Sequence, residues 1–120
     1  MQGVSSKISR NSFYHNDIAI ELFNNSAEIK ANKIVNSQES GISIKTQIFS
    51  FLDSKYGCDA TIIKNLIKNN RNHGIIVMGD GSNPLIKENE ILDNKKCGIK
   101  LLDYARADIV DHNVIQNNLS

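Results

Sequence analysis

Between Gly74 and Asn118 the chain states one pattern twice, and a pattern restated at a fixed step constrains a fold more tightly than composition does. The first statement is Gly74-Ile75-Ile76-Val77, then Ile86-Lys87-Glu88-Asn89-Glu90-Ile91, closed by Asn94. The second is Gly98-Ile99-Lys100-Leu101, then Val110-Asp111-His112-Asn113-Val114-Ile115, closed by Asn118. Glycines and asparagines both advance by 24 residues. Self-similarity at a step of roughly 20–50 residues marks stacked structural repeats.

The asparagine phrase occurs five times. Its other copies are Ile8-Ser9-Arg10-Asn11-Ser12-Phe13, Ile29-Lys30-Ala31-Asn32-Lys33-Ile34 and Ile62-Ile63-Lys64-Asn65-Leu66-Ile67. Asn11, Asn32, Asn65, Asn89 and Asn113 are therefore separated by 21, 33, 24 and 24 residues. Five residues after each comes another small polar residue: Asn16, Ser37, Asn70, Asn94 or Asn118. The glycine phrase has two earlier relatives, Ala19-Ile20-Glu21-Leu22 and Gly41-Ile42-Ser43-Ile44.

Each phrase alternates apolar and polar residues, which is the period of a strand. Ile, Val and Phe favour strands, whereas Asn and Gly favour the turns between them. Ile86 lies three residues before Asn89 and Ile91 two after it. Both can point inward only if the chain turns at the asparagine, a residue type that tolerates a left-handed corner. Three short strands per repeat then make one coil, and stacked coils pair like strands in parallel at about 4.8 Å. The expected fold is all-β: a parallel β-helix of about five coils of roughly 22–24 residues. Ile8, Ile29, Ile62, Ile86 and Val110 should form one inward column. Phe13, Ile34, Ile67, Ile91 and Ile115 should form a second, and Ile20/Leu22, Ile42/Ile44, Ile75/Val77 and Ile99/Leu101 a third. Stacked corner asparagines should hydrogen-bond along the axis as a ladder.

A leucine-rich repeat would also need apolar residues five and eight before each asparagine. Before Asn113 these positions hold Asp108 and Ala105, and before Asn89 they hold Pro84 and Gly81, so that alternative fails. The repeats resemble those of right-handed parallel β-helix proteins, the broad group that includes pectate lyases, alginate epimerases and copper-centre maturation proteins. The run from Gly81 to Ile91 is similar to repeats of F-box-only protein eleven and related eukaryotic proteins, although the chain shows no F-box segment. The first resemblance implies a right-handed solenoid over nearly the whole chain. The second implies a recognition role inside a larger assembly.

One break in spacing adds about nine residues between Ile44 and Ile62, predicting an insertion loop at about 45–58 that carries Phe49 and Phe51. Insertions in repeats map to loops on one face, often the binding face. If Ile75 and Val77 point inward, Ile76 and Met78 point outward. With Phe23 and Leu102 they would form an outward apolar strip, which the insertion or a protein partner would cover.

Net charge is +1, with basic and acidic residues interspersed and no Trp. That pattern argues against a nucleic-acid stripe or a polybasic membrane anchor. No apolar run approaches the roughly 18 residues of a membrane span, and residues 1–7 lack the apolar core of a secretion signal. The expected location is intracellular rather than secreted, with Cys58 and Cys97 as reduced thiols.

Candidate chemistry is sparse. Pectin-degrading β-helices use carboxylate clusters on an outer sheet face, some of them holding calcium, but among the outward positions only Glu21 is acidic. The most acidic group is a polar turn in the last coil, Asp103, Asp108 and Asp111 with Arg106, which offers a calcium or sugar site as the alternative to a solvated loop. Asn72-His73-Gly74 resembles the G-H-G stretch of polygalacturonases, yet no paired aspartates or R-I-K segment accompany it, so His73 reads as a turn residue. His15 and His112 occupy unrelated repeat positions, and Gly79-Asp80-Gly81 precedes no helix that would make it a phosphate cradle. No catalytic residue, metal or cofactor is expected.

Neither end carries an amphipathic cap, so the array over 1–120 is expected to continue in a longer solenoid or to associate end to end. Three functions follow as expectations. The first is a non-catalytic scaffold binding a protein partner or further coils. The second is a module binding or cleaving polysaccharide, and the third is a repeat fragment without a separate role.

Overall fold

A computed structural model describes residues 6–23, 26–46 and 59–119. The described residues wind through fourteen strands of three or four residues. The first turn holds β1 (Ser6–Ser9), β2 (Ser12–Tyr14) and β3 (Ile20–Phe23), and the second holds β4 (Ala27–Lys30), β5 (Lys33–Val35) and β6 (Ile42–Lys45). The third holds β7 (Thr61–Ile63), β8 (Leu66–Lys68) and β9 (Ile75–Met78), and the fourth β10 (Leu85–Lys87), β11 (Glu90–Leu92) and β12 (Ile99–Leu102). β13 (Asp108–Val110) and β14 (Val114–Gln116) begin a fifth. Like strands stack into sheets ordered β1-β4-β7-β10-β13, β2-β5-β8-β11-β14 and β3-β6-β9-β12. Every pairing is parallel. The result is a parallel β-solenoid measuring 40 × 28 × 27 Å.

The inward columns form as their spacing requires. Ile29, Ile62 and Ile86 line the first sheet, Ile34, Ile67 and Ile91 the second, and Ile42, Ile44, Ile75 and Val77 the third, all without solvent exposure. Each such side chain contributes about 1.5–3 kcal/mol of burial. The last coil departs from the expected register. Ile109, not Val110, stands opposite Ile86, while Val110 stands opposite the outward Lys87. Both Asp111 (φ 42°) and His112 (φ 61°) adopt left-handed backbone at this corner, where the other coils use one such residue. The corner is one residue longer, which flips the strand before it.

The corners also turn one residue earlier than expected. Arg10, Ala31, Lys64 and Glu88 carry the positive φ, and the asparagine that follows does not. A second corner repeats the device at His15, Asn36, Asn69, Asp93 and Asn117. These residues are chemically unlike, so the conformation is imposed by the stacked coils and not by a side-chain preference. Hydrogen bonds offset the strain of roughly 1–2 kcal/mol per residue. Ala31 N–H reaches Ile63 O at 3.1 Å and Lys64 N–H reaches Lys87 O at 3.2 Å. Within the expected insertion, Lys45 belongs to β6 and pairs with Met78, so the regular strand runs further than 45 suggests. Phe49 and Phe51 lie outside the described residues.

Candidate functional site

Freed from the corner bend, Asn32, Asn65 and Asn89 are buried between coils, where they solve a backbone problem. The N–H of each corner asparagine lies where the strand has ended and no carbonyl of the next coil faces it. The next coil's asparagine supplies the acceptor. Asn32 N–H donates to Asn65 Oδ1 at 2.9 Å, Asn65 N–H to Asn89 Oδ1 at 2.9 Å and Asn89 N–H to Asn113 Oδ1 at 3.0 Å. The same oxygen takes a second bond from the amide above it, as in Asn65 Nδ2 to Asn89 Oδ1 at 3.0 Å. Each Nδ2 uses its other proton on a carbonyl of the preceding coil, Asn89 on Ile62 O at 2.8 Å. An interior rung therefore satisfies four polar groups, which only a side-chain amide, with two donors and one double acceptor, can do. Asn11 and Asn113 are the outer members.

A second ladder runs through Asn70, Asn94 and Asn118, with Asn70 Nδ2 to Asn94 Oδ1 at 2.8 Å and Asn94 Nδ2 to Asn118 Oδ1 at 2.9 Å. The recurrence of these residues is plain in the sequence, yet the sequence does not reveal that they form a ladder. Only the geometry shows that this corner needs the same acceptor. Ser37 occupies the fourth rung. Its N–H reaches Asn70 Oδ1 at 2.9 Å, but its buried hydroxyl has no hydrogen-bond partner.

The outward apolar strip is only partly continuous. Met78 and Leu102 are register partners, and Ile76 shares their face of β9. Phe23 is separated from Met78 by Lys45, since Phe23 pairs with Lys45 and Lys45 with Met78. The Lys45 ammonium lies 5.9 Å from the Phe23 ring centroid, a cation–π arrangement. What remains is a patch of Ile76, Met78 and Leu102, with exposed Phe23 standing apart.

The residues of the expected polar turn flank and open one strand. Asp103 follows β12, Asp108 opens β13, and Asp111 lies beyond its far end, 3.8 Å from the Lys87 ammonium. Arg106 anchors by its N–H to Ser82 O at 2.9 Å. Among the described residues no group of three or more His, Cys, Asp or Glu could hold a metal ion.

His73 has a defined role that its turn position alone does not convey. Its Nδ1 accepts the N–H of Cys97 at 3.1 Å, and its own carbonyl accepts the N–H of Gly41. The residue thus links three coils, through its ring to the coil after it and through its carbonyl to the coil before it. Burial first, and then the positive charges of Lys96 and Lys100, lower its pKa below the ordinary imidazole value. Neutral imidazole, with the proton on Nε2, is the form that fits. In the loop after β9, Gly79 holds φ at +100°, and a Cβ there would lie 2.0 Å from Thr46 O, so no other residue fits.

A shallow groove follows the first corner across four coils, with Arg10, Lys33 and Lys64 toward one end and Glu88 and Glu90 toward the other. Lys64 and Glu88 lie 3.8 Å apart on the surface, a pair worth little by itself. At the C-terminal end the core opens. Leu101, Ile109 and Ile115 are 41%, 46% and 44% exposed, whereas Val77, Ile86 and Ile91 one coil earlier have none.

A family model described as a right-handed β-helix region matches residues 1–120. No curated protein and no solved structure matches the chain.

Proposed function

Because the chain belongs to the right-handed β-helix family, whose regular positions are consumed in building the solenoid, we propose that it is a non-catalytic scaffold binding a protein partner. The partner would be another polypeptide within a larger assembly, with this chain as the recognition part. The observation that carries the reading is the outward patch of Ile76, Met78 and Leu102 on the third sheet. Three large apolar side chains, half-buried Ile76 and Met78 and exposed Leu102, adjoin on a face that alternation reserves for polar residues, which supports a contact there. The outward third-sheet positions lend support, because the register sets Glu21, Ser43, Ile76 and Lys100 in one row and Phe23, Lys45, Met78 and Leu102 in the other, with one carboxylate among them. Hydrolysis of a glycoside needs two carboxyl groups roughly 5–10 Å apart across one bond.

The test replaces Met78 and Leu102 by Lys, singly and together, with near-ultraviolet circular dichroism confirming an unchanged fold. A partner recovered by crosslinking to the native chain should lose at least about tenfold in affinity for the double variant. A partner that binds both proteins equally would remove the patch as the site.

The groove at the first corner supports a second reading, binding of a polar, charged saccharide along Arg10, Lys33 and Lys64. Retention on a glycan array, with and without calcium, that is abolished by Lys33→Ala and Lys64→Ala would favour it. A blank array would dismiss it.

A further inference from the structure

The turn that leads into the third sheet carries opposite charges at its two ends. Backbone hydrogen bonds fix its column: Glu39 N–H donates to Asp17 O, Asn72 N–H to Glu39 O and Lys96 N–H to Asn72 O, at 2.9, 3.2 and 3.0 Å. The first outward row of the sheet reads Glu21, Ser43, Ile76 and Lys100 in register. Both lines begin in a carboxylate on the first coil and end in an ammonium group on the fourth. Beside them Lys95 N–H donates to Asn70 O at 2.9 Å, which sets Lys95 one coil from Arg71, the residue after Asn70. Four cations, Arg71, Lys95, Lys96 and Lys100, therefore gather on two adjoining coils.

These cations differ from scattered surface charge in having no counter-charge. Elsewhere lysines pair across coils, Lys64 with Glu88 and Lys87 with Asp111, each at 3.8 Å. Among the described residues none of the four has an ion-pair partner. The nearest carboxylate of their column, Glu39, stands two coils, roughly 10 Å, before Lys96. Unneutralised charges of one sign on adjoining coils focus a potential that attracts an anion. His73 lies among them. Its Nδ1 accepts the N–H of Cys97 at 3.1 Å, which draws the ring against the turn that carries Lys96 and Lys100 and leaves the proton on Nε2. No described residue bonds to Nε2. Both lysines are near enough for their charges, after burial, to depress the imidazole pKa. One neutral N–H donor and two ammonium groups thus meet at the edge of the third sheet.

We propose that His73, Lys96 and Lys100 form a binding site for a phosphate group, with Arg71 and Lys95 adding to its field. Donors arriving from two coils suit a ligand with three free oxygens and up to two negative charges better than a planar carboxylate with two oxygens and one charge. Free phosphate and a phosphate monoester share this chemistry. The register partner of Lys100 on β9 is Ile76, so an apolar substituent on the phosphate has a surface beside the site to rest on. The site does not depend on the partner proposed for the patch of Ile76, Met78 and Leu102. Binding has a direct signature at the ring, because an anion beside it favours the imidazolium form and raises the His73 titration midpoint.

The test titrates the intact chain with inorganic phosphate and, separately, with phenyl phosphate, following the imidazole resonances by proton NMR. Sodium chloride at equal ionic strength accounts for screening of the lysines. The His73 midpoint should rise by at least about 0.3 pH beyond the chloride control, and the response should saturate with a Kd below about 10 mM. His15 and His112, at other corners, should not follow, which gives a control within the unaltered protein. Replacing Lys96 and Lys100 together by Gln should weaken binding by at least about tenfold, whereas Lys64→Gln should leave it unchanged. Lys96 is exposed and Lys100 half-buried, so the variant should fold, and circular dichroism checks this. Tighter binding of phenyl phosphate would support the site as one for a monoester, and tighter binding of phosphate as one for the free ion. The proposal is overturned if phosphate moves the midpoint no further than chloride does, or if the three histidines respond alike. Acetate binding as tightly as phosphate, or an unchanged Kd in the double variant, would also overturn it.

Discussion

At the scale of single residues, the ladder positions couple side chains that are far apart in sequence. At Gly41, Gly74 and Gly98 a Cβ would approach the next coil's asparagine amide within 2.9–3.1 Å. The matching residue of the first coil is Ala19, since Ile20 pairs with Ile42, and the rung it faces is Ser37 rather than asparagine. A smaller rung makes room for the methyl group. Ser37→Asn alone should therefore destabilise by about 1–3 kcal/mol through overpacking, and Ala19→Gly alone by about 0.5–1 kcal/mol. The double variant should recover at least about 1 kcal/mol relative to their sum, as read from urea unfolding, because the new amide satisfies a rung at which the serine hydroxyl is now unpartnered. Additive effects would refute the coupling. His73 gives a second prediction. Its folded pKa lies below the unfolded value of about 6.5, so the unfolded chain binds the proton more readily. The stabilisation is complete above about pH 6.5 and is lost as pH falls through the folded value. Urea midpoints should drop between about pH 7.5 and about pH 5.5, and His73→Gln should flatten that drop. Equal slopes would show that the ring does not contribute.

At the scale of strands and corners, the sequence discloses most of the architecture because its information is periodic. The 24-residue step, the two-residue alternation and the inward isoleucines locate the strands and all but one inward residue of the last coils. The exception is Val110, and the cause is local. Ile109 and Val110 are adjacent aliphatics, so either could serve the column, and the choice depends on how many residues the corner spends before Asn113. The structure spends two, Asp111 and His112, and selects Ile109. The left-handed positions were not legible for a related reason. Arg10, Ala31, Lys64 and Glu88 share no side-chain chemistry, and the backbone there follows from stacking and from bonds to the next coil. Side chains that point outward are the least legible. Alternation assigns Phe23, Met78 and Leu102 to one face, but only the pairing of strands shows that Lys45 stands between the first and the other two. The aspartates of the last coil are close in sequence, but alternation alone does not say that Asp108 opens β13 while Asp111 sits in the corner beyond it.

At the scale of the whole molecule, a solenoid behaves as a one-dimensional stack in which each coil is held by its neighbours. In a chain of residues 1–120 alone, coils with a neighbour on both sides should open rarely, and the coil of β13 and β14 should fray. Hydrogen exchange should therefore run slowest in β7, β8 and β9 and faster by about two orders of magnitude in β13 and β14, whose inward side chains are 44–46% exposed. Uniform exchange would indicate a single cooperative unit. The two asparagine ladders add a property that no single coil possesses. The interior asparagine rungs point the same way, each with its side-chain oxygen turned toward the coil before it and its backbone N–H and one amide proton toward the coil after it. Their amide dipoles sum instead of cancelling, as they do in a helix, so the molecule is electrically a vector. Its oxygen-lined end is the negative pole and its N–H-lined end the positive pole. Two such bodies meeting with like poles would bring ladder oxygen against oxygen or N–H against N–H, so the ladders could run on from one body into the next only in a nose-to-tail contact.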